Sequence, residues 1–233
     1  MDYQGRTVVV TGATGGLGTA VVDTLIAAGA TCHVPYRTEA QAQTFLHRGH
    51  KQVTLYPQID LTDEDAVTRF YQQLPNLWAS IHLAGGFAPG RITATGKSVL
   101  ASQLDVNVVT CYLCCRSAVT AMAAHSAGGR IVNVAARPAL EWRSGAGMTA
   151  YAASKAAVAA LTVALAEEVV KDNVLVNAVA PSILDTPANR QAMPKADHAV
   201  WPKVEDVAQT IMFLASPANK VTRGAIVPVY GRT

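Results

Sequence analysis

Apolar and polar positions follow two rhythms along this chain. Short runs of apolar and β-branched residues fall at 7–11, 31–35, 52–56, 80–83, 130–134, 174–179 and 225–229. Amphipathic segments lie between them, near 17–28, 39–48, 63–73, 99–124, 151–171 and 204–214. Runs without polar alternation suit strands buried on both faces, and the helical rhythm supplies the crossovers. Strand–helix alternation throughout predicts right-handed βαβ units and an α/β fold with a parallel sheet. No repeat, low-complexity tract, charge run or Pro/Gly-rich linker divides the chain, so residues 1–233 read as a single domain. Two long loops, 84–98 and 180–203, follow predicted strand C-termini, where open α/β sheets bind ligands. The second, at about 181–203, reads as a lid.

Composition sharpens this picture in a few places. The 233 residues are 50% hydrophobic and 15% charged, enough apolar material for a sheet covered on both faces. The net charge is +3 with no basic block, which gives nucleic-acid binding no electrostatic support. No unbroken apolar run approaches the roughly 18 residues of a membrane span. The N-terminus, MDYQGRTVVV, enters a strand at once without a signal-peptide pattern, so a cytoplasmic protein is expected. Of the cysteines Cys32, Cys111, Cys114 and Cys115, three cluster in CYLCC. That spacing suits a redox pair or half a zinc site. No second Cys/His pair stands at metal spacing, so buried thiols packed as small hydrophobes are preferred and no metal is expected.

The first strand runs into TGATGGLG, residues 11–18, and then a helix. Gly12, Gly16 and Gly18 permit a tight turn and close approach to a pyrophosphate, while the helix N-terminus offers unpaired N–H groups. Thr14 and Leu17 belong to the same turn. The second strand ends in Tyr36 and Arg37, where an NAD site usually places an acid for the ribose 2′-hydroxyl. An uncharged residue followed by a guanidinium suits a 2′-phosphate, so NADP(H) is favoured over NAD(H). The alternative is a solvated arginine at a loop start. Asp60 and Leu61 close the third strand, where Asp60 can bond an adenine amino group or cap the next helix; Thr62 fits that cap better.

These motifs, with LAGG at 83–86, Asn107, Tyr151-x-x-x-Lys155 and VNAVAPSILDT at 176–186, stand in the order found in short-chain dehydrogenases/reductases. The chain resembles that family from residue 6 to about 230. The resemblance implies a Rossmann-type, doubly wound sheet of about seven strands, a nicotinamide cofactor, a small-molecule substrate, and a homodimer or homotetramer. It sets Ala84 and Gly85 along the adenosine ribose. Pro181, Leu184 and Thr186 fall on the nicotinamide and phosphates. Two stretches, LAGGFAPG and LDTPANRQAMPKADHAVW, are also similar to dihydropteridine reductases, a divergent branch that carries alanine in place of the catalytic serine. Tyr36–Arg37 departs from the animal enzymes of that branch, which have an acid there and prefer NADH. The likeness therefore bears on active-site style more than on substrate.

Tyr151 and Lys155 are four apart and share a helix face. A phenol titrates near ~10, and a neighbouring ammonium favours its ionised form. Tyr151 is thus expected to exchange a proton with the substrate, with Lys155 tuning it and bonding the nicotinamide ribose. The resemblance makes Asn107 the holder of a water that relays protons to Lys155; the alternative is an asparagine that bends its helix. Where the family places serine, the fifth strand ends in Ala135–Ala136, with Ala136 the better match. Three explanations stand open: an electron-poor quinonoid or iminium acceptor, a substitute donor among Ser144, Thr149 and Ser182, or a nucleotide sensor without turnover. The intact Tyr–Lys pair favours activity on a carbonyl, quinonoid or imine-type acceptor. In the lid, Met193, Pro194, His198 and Trp201 near Arg190 and Lys195 suit either a flat anionic ring or simple hydrophobic anchoring. His82 is expected to bond backbone. The segments around Asn107 and Tyr151 are more apolar than one sheet face needs, as a subunit interface requires.

Overall fold

Every residue of the strand Thr7–Thr11 (β1) is buried, and its side chains divide between two cores. Val8 and Val10 enter one cluster and Val9 the other. Each fully buried valine contributes roughly 1.5–3 kcal/mol by leaving water. In this computed structural model, residues 1–124 and 128–233 are described. The chain continues through α1 (Gly16–Ala27), β2 (Thr31–Pro35), α2 (Glu39–Gln43), β3 (Val53–Tyr56), α3 (Glu64–Gln72) and β4 (Leu77–His82). Then come α4 (Lys97–Leu104), a π-helical turn (Asp105–Val109), α5 (Thr110–Ala123), β5 (Gly129–Val134), α6 (Arg137–Leu140) and α7 (Thr149–Glu168). The last part holds β6 (Val174–Pro181), α8 (Pro187–Ala192), α9 (Val204–Ala215) and β7 (Ile226–Val229).

All seven strands are parallel, in the order β3-β2-β1-β4-β5-β6-β7. The doubly wound α/β sheet is as expected. Helices α1 and α9 cover one face, and α3, α5 and α7 pack on the other. Strand order reverses between β1 and β4, so the chain leaves the sheet in opposite directions on either side of one crevice. The stretches Lys97–Ala123 and Thr149–Glu168 are long and apolar enough to cross a membrane by length and composition. In this fold α5 packs on β4 and α7 on β6.

Several boundaries differ from the sequence reading. The segment 39–48 is helical only over Glu39–Gln43, because Thr38 and Gln41 form a reciprocal capping box on an isolated turn with one buried residue. The segment 99–124 is three pieces, since the π turn interrupts it. The short α6 and α8 lie in stretches read as loop. Asp63, not Thr62, caps α3: its carboxylate accepts from the Ala66 N–H at 3.0 Å. Thr62 is unavailable because its hydroxyl donates to Asp60 at 2.7 Å. Replacing Asp63 with Ala is expected to lower stability by about 1 kcal/mol in denaturant unfolding, with Thr62→Ala costing less. Equal losses would mean that the cap is shared.

Candidate active site

The crevice between β1 and β4 is narrow because two backbones almost touch. Gly12 has φ +66°, and a Cβ there would lie 2.6 Å from the Ala84 nitrogen. At Gly18 a Cβ would lie 2.2 Å from the Gly12 carbonyl oxygen, so only glycine lets α1 rise directly from the turn. Gly16 faces Thr186 across the opening: a Cβ there would sit 3.2 Å from the threonine methyl. Helix α1 starts without a side-chain cap and without an acid in its first turn. Its N–H groups and Thr14 and Leu17, both half-buried, border this cradle. A glycine-walled turn at an uncapped helix start fits a dinucleotide pyrophosphate.

The outer end of the crevice is polar. Arg37 is exposed at the end of β2, and among the described residues it forms no ion pair. Tyr36 is committed to Glu39 at 3.1 Å. Asp60 Oδ1 accepts from the Thr62 N–H and hydroxyl at 2.9 and 2.7 Å. These bonds, and to a lesser degree Arg37, hold its carboxyl below the usual range. Leu61 beside it packs on the α3–α5 core.

Tyr151 and Lys155 sit in the first two turns of α7. Lys155 is 7% exposed, and its Nζ donates to the Val134 carbonyl at 2.8 Å, where β5 ends. Burial pulls its ammonium down to about 8. Burial also pushes the half-buried Tyr151 phenol up to about 12, the opposite of the lowering that an adjacent ammonium alone would give. Desolvation is the leading cause of both shifts.

Asn107 is 1% exposed and lies in the π turn. Its Oδ1 accepts from the Gly86 N–H at 2.9 Å, and its Nδ2 donates to the Gly86 carbonyl and Ser154 Oγ, both at 3.0 Å. Ser154 in turn donates to the Tyr151 carbonyl at 2.8 Å. Asn107 thus ties the loop after β4 to the tyrosine's own turn. The π turn is the local distortion that brings it there. A Cβ on Gly85 would lie 2.6 Å from Asn107 Oδ1 and 3.4 Å from Lys155 Nζ, so glycine at 85 lets both groups converge.

Ala136 is buried and opens α6, which has no side-chain cap. Of the substitute donors, the Ser144 hydroxyl is exposed and donates to the Glu141 carbonyl at 2.8 Å. The Ser182 hydroxyl donates to the Tyr230 carbonyl at 2.9 Å. Thr149 opens α7 and lines a cleft of about 280 Å³ with Ile92, Thr95, Lys97 and Leu100. The segment after β6 is pinned rather than open. Pro181 is buried at the strand end, and Leu184 packs on the core. The Leu184 carbonyl accepts from Asn189 at 2.8 Å, and Thr186 caps α8. Arg190 is spent on a bidentate pair with Asp185 at 2.6 and 2.8 Å, and Trp201 is buried against His198. Arg190, His198 and Trp201 are thus each held by a neighbour within this segment.

His82 departs from its expectation: it bonds side chains, not backbone. Its Nε2 meets Ser80 Oγ and its Nδ1 meets Asn133 Oδ1, both at 2.8 Å. The sequence reading missed Ser154, Gly86, Gln103 and Phe87. Gln103 lies 3.5 Å from Asn107 Nδ2, and the Phe87 ring meets Tyr151 edge to face at 4.9 Å. A serine inside the alanine-rich YAASK was the visible signal for the first. The others carry no spacing signal.

Residues 6–197 match the family model described as short chain dehydrogenase. The chain is 31% identical to cis-4-hydroxycyclohexanecarboxylate dehydrogenase of Sinomonas cyclohexanicum, covering 98% of this chain and 96% of that one. It is 27% identical to the (2S)-[(R)-hydroxy(phenyl)methyl]succinyl-CoA dehydrogenase subunit BbsD of Thauera aromatica, covering 99% and 97%. Among solved structures, a putative NAD(P) dependent gluconate 5-dehydrogenase from Beutenbergia cavernae, with bound NADP at low occupancy, superposes with TM-score 0.86. It shares 30% identity over 99% of this chain and 97% of that one.

The depressed Lys155 titration has a sign that unfolding can read. Between about 8 and 10 the folded protein has released this proton while the unfolded chain still holds it. Stability must then rise with pH across that window, and the raised Tyr151 opposes it only above about 10. Wild type is expected to gain thermal stability relative to Lys155→Met between pH 7.5 and 10. A difference that stays flat would place the ammonium in solvent.

Proposed function

The chain belongs to the short chain dehydrogenase family and is an NAD(P)H-dependent oxidoreductase, and from that premise we propose an NADPH-dependent reductase of a carbonyl, quinonoid or imine-type small molecule. The observation that carries this reading is the Tyr151–Lys155 pair at the sheet edge, with Lys155 Nζ fixed on the Val134 carbonyl and the tyrosine's turn tied through Ser154 to Asn107. The nicotinamide, when bound, supplies the hydride. Gly12, Gly16 and Gly18 with the α1 N-terminus hold the pyrophosphate, Thr14 and Leu17 line it, and Ala84 and Gly85 border the ribose. Pro181, Leu184 and Thr186 close the nicotinamide side, and Asp60 with Leu61 receives the adenine; Asp60 keeps its Oδ2 for the amino group while Oδ1 is held by Thr62.

Tyr151 Oη delivers a proton to the heteroatom that gains negative charge as the acceptor is reduced. A phenol held near 12 is fully protonated at neutral pH, the state a proton donor needs. Lys155, still mostly charged at neutral pH, favours the phenolate left after transfer. Asn107 stands at the start of the path by which the proton is replaced. An alanine at 136 removes a donor of the kind whose loss commonly costs about 10²–10³ in rate. An acceptor that is already electron-poor, such as a quinonoid or iminium ring, needs that donor least, which favours this class. The two relatives named above are dehydrogenases of hydroxy compounds by their names, so carbonyl acceptors belong in the same panel.

NADP(H) is supported by the exposed, unpaired Arg37 in a β2 terminus that offers no acid for a ribose hydroxyl, and by the NADP held in the 30% identical structure. Replacing Tyr151 with Phe is expected to lower kcat by about 10²–10⁴ while NADPH affinity holds. An unchanged rate would remove the tyrosine from the chemistry. Replacing Arg37 with Ala is expected to cut kcat/KM for NADPH by about 10- to 100-fold, the effect of losing a charged hydrogen bond, and to leave NADH alone. Equal losses with both cofactors would refute the 2′-phosphate assignment.

A further inference from the structure

Beneath the Tyr151 site, three ligand atoms converge that the proposed reaction does not use. His82 ends β4, and Cys111 and Cys115 stand one turn apart on α5; their donor atoms all lie within 4.8 Å of one another. Each is buried, with exposures of 4%, 5% and 1%. Cys115 Sγ is 3.6 Å from His82 Nδ1 and 3.5 Å from Asn133 Oδ1, and these two are 2.8 Å apart. A tetrahedral zinc, with bonds of about 2.3 Å to sulfur and about 2.0 Å to nitrogen or oxygen, sets neighbouring ligand atoms about 3.3–3.8 Å apart. The two sulfur edges already match, and the remaining ones need shifts of about an ångström.

We propose that His82 Nδ1, Cys111 Sγ, Cys115 Sγ and Asn133 Oδ1 form a structural site for a single zinc ion. The ion displaces one proton from each thiol, so two protons leave and two thiolates balance the dication. No net charge is then left in the apolar interior. The second shell is in place. Asn133 Nδ2 donates to Thr162 Oγ1 at 2.9 Å, which turns Oδ1 toward the cluster. His82 Nε2 faces Ser80 Oγ at 2.8 Å and Tyr71 Oη at 3.4 Å. When Nδ1 gives up its hydrogen to bind, the ring proton moves to Nε2 and is received by Ser80, the arrangement that orients metal-bound imidazoles.

The position gives the site a purpose. Asn107 binds the loop after β4 to the helix one turn before Cys111, and the cluster joins the end of β4 to that helix one turn deeper. Zinc would therefore clamp the same two elements that aim Asn107.

The test loads the full chain with zinc or cobalt(II) under thiol-reducing, chelator-free conditions and then removes loosely held metal by gel filtration. One equivalent per chain is expected. The cobalt form should show the visible bands of tetrahedral geometry and a thiolate charge-transfer band. Cys111→Ser and Cys115→Ser should lose the metal, while Cys114→Ser and Cys32→Ser keep it. Should the first two fail to fold, X-ray absorption on the wild type decides: two sulfur and two nitrogen or oxygen neighbours support the site. No retained metal, metal retained in folded Cys111→Ser/Cys115→Ser, or a shell without sulfur overturns it. None of these readouts depends on oxidoreductase activity.

Discussion

A buried ammonium is the constraint around which this molecule is arranged. Lys155 is nearly out of solvent, and a charge placed there is unfavourable unless it finds partners. The partner the fold supplies is the Val134 carbonyl, at the last residue of β5. That one bond fixes the rotation of α7 about its axis and so sets where the Tyr151 ring points. It also requires an empty space on the other side, which Gly85 provides, since any side chain there would collide with Asn107 before it reached Lys155. Glycine at 12 lets backbone approach backbone, and glycine at 85 lets the Asn107 and Lys155 side chains converge on the chain.

The parts of this arrangement that follow from local rules were legible in the sequence. Buried valine runs announce strands, and TGATGGLG announces a strand–turn–helix, because glycine there answers a backbone demand that no neighbour can alter. Tyr151 and Lys155 were legible because i and i+4 share a face whatever surrounds them. What escaped depends on partners distant in the chain. The π turn exists because Asn107 must reach Gly86, twenty-one residues away, and no periodicity encodes that. The α3 cap passed to Asp63 because Thr62 was already bound to Asp60. His82 was expected to bond backbone because two of its side-chain partners, Asn133 and Cys115, come from another strand and a helix.

The shift of the Tyr151 phenol bears on the alanine at 136. A phenol that burial holds far above neutrality is a weak acid, and a weak acid protonates best an acceptor that becomes strongly basic as it is reduced. A family serine relieves that demand by sharing the developing charge. Without it, either the acceptor must be electrophilic enough to accept hydride unaided, or the tyrosine must be made more acidic when the site fills. A charged Lys155 would act in that second direction. The two solutions are compatible.

The polar cluster behind the lysine extends the same logic into the core. A parallel sheet of this kind has no need of a histidine, an asparagine and two thiols in its interior; aliphatic side chains would fill the volume without polar atoms to satisfy. Here the histidine and the asparagine are satisfied through a chain of side-chain bonds from Tyr71 to Thr162 that joins two strands and two helices. With Cys115 bonded to His82 and Asn133, such a network positions β4 against α5 more sharply than apolar packing can, because hydrogen bonds are directional where dispersion is not. The loop that begins at the end of β4 carries Ala84, Gly85 and Gly86, and α5 continues from the turn that carries Asn107. A displacement of either element by an ångström would break the Asn107 bridge, and with it the coupling of the tyrosine's turn to the cofactor crevice. Polar residues in this core are therefore best understood as part of the apparatus that holds the site in register.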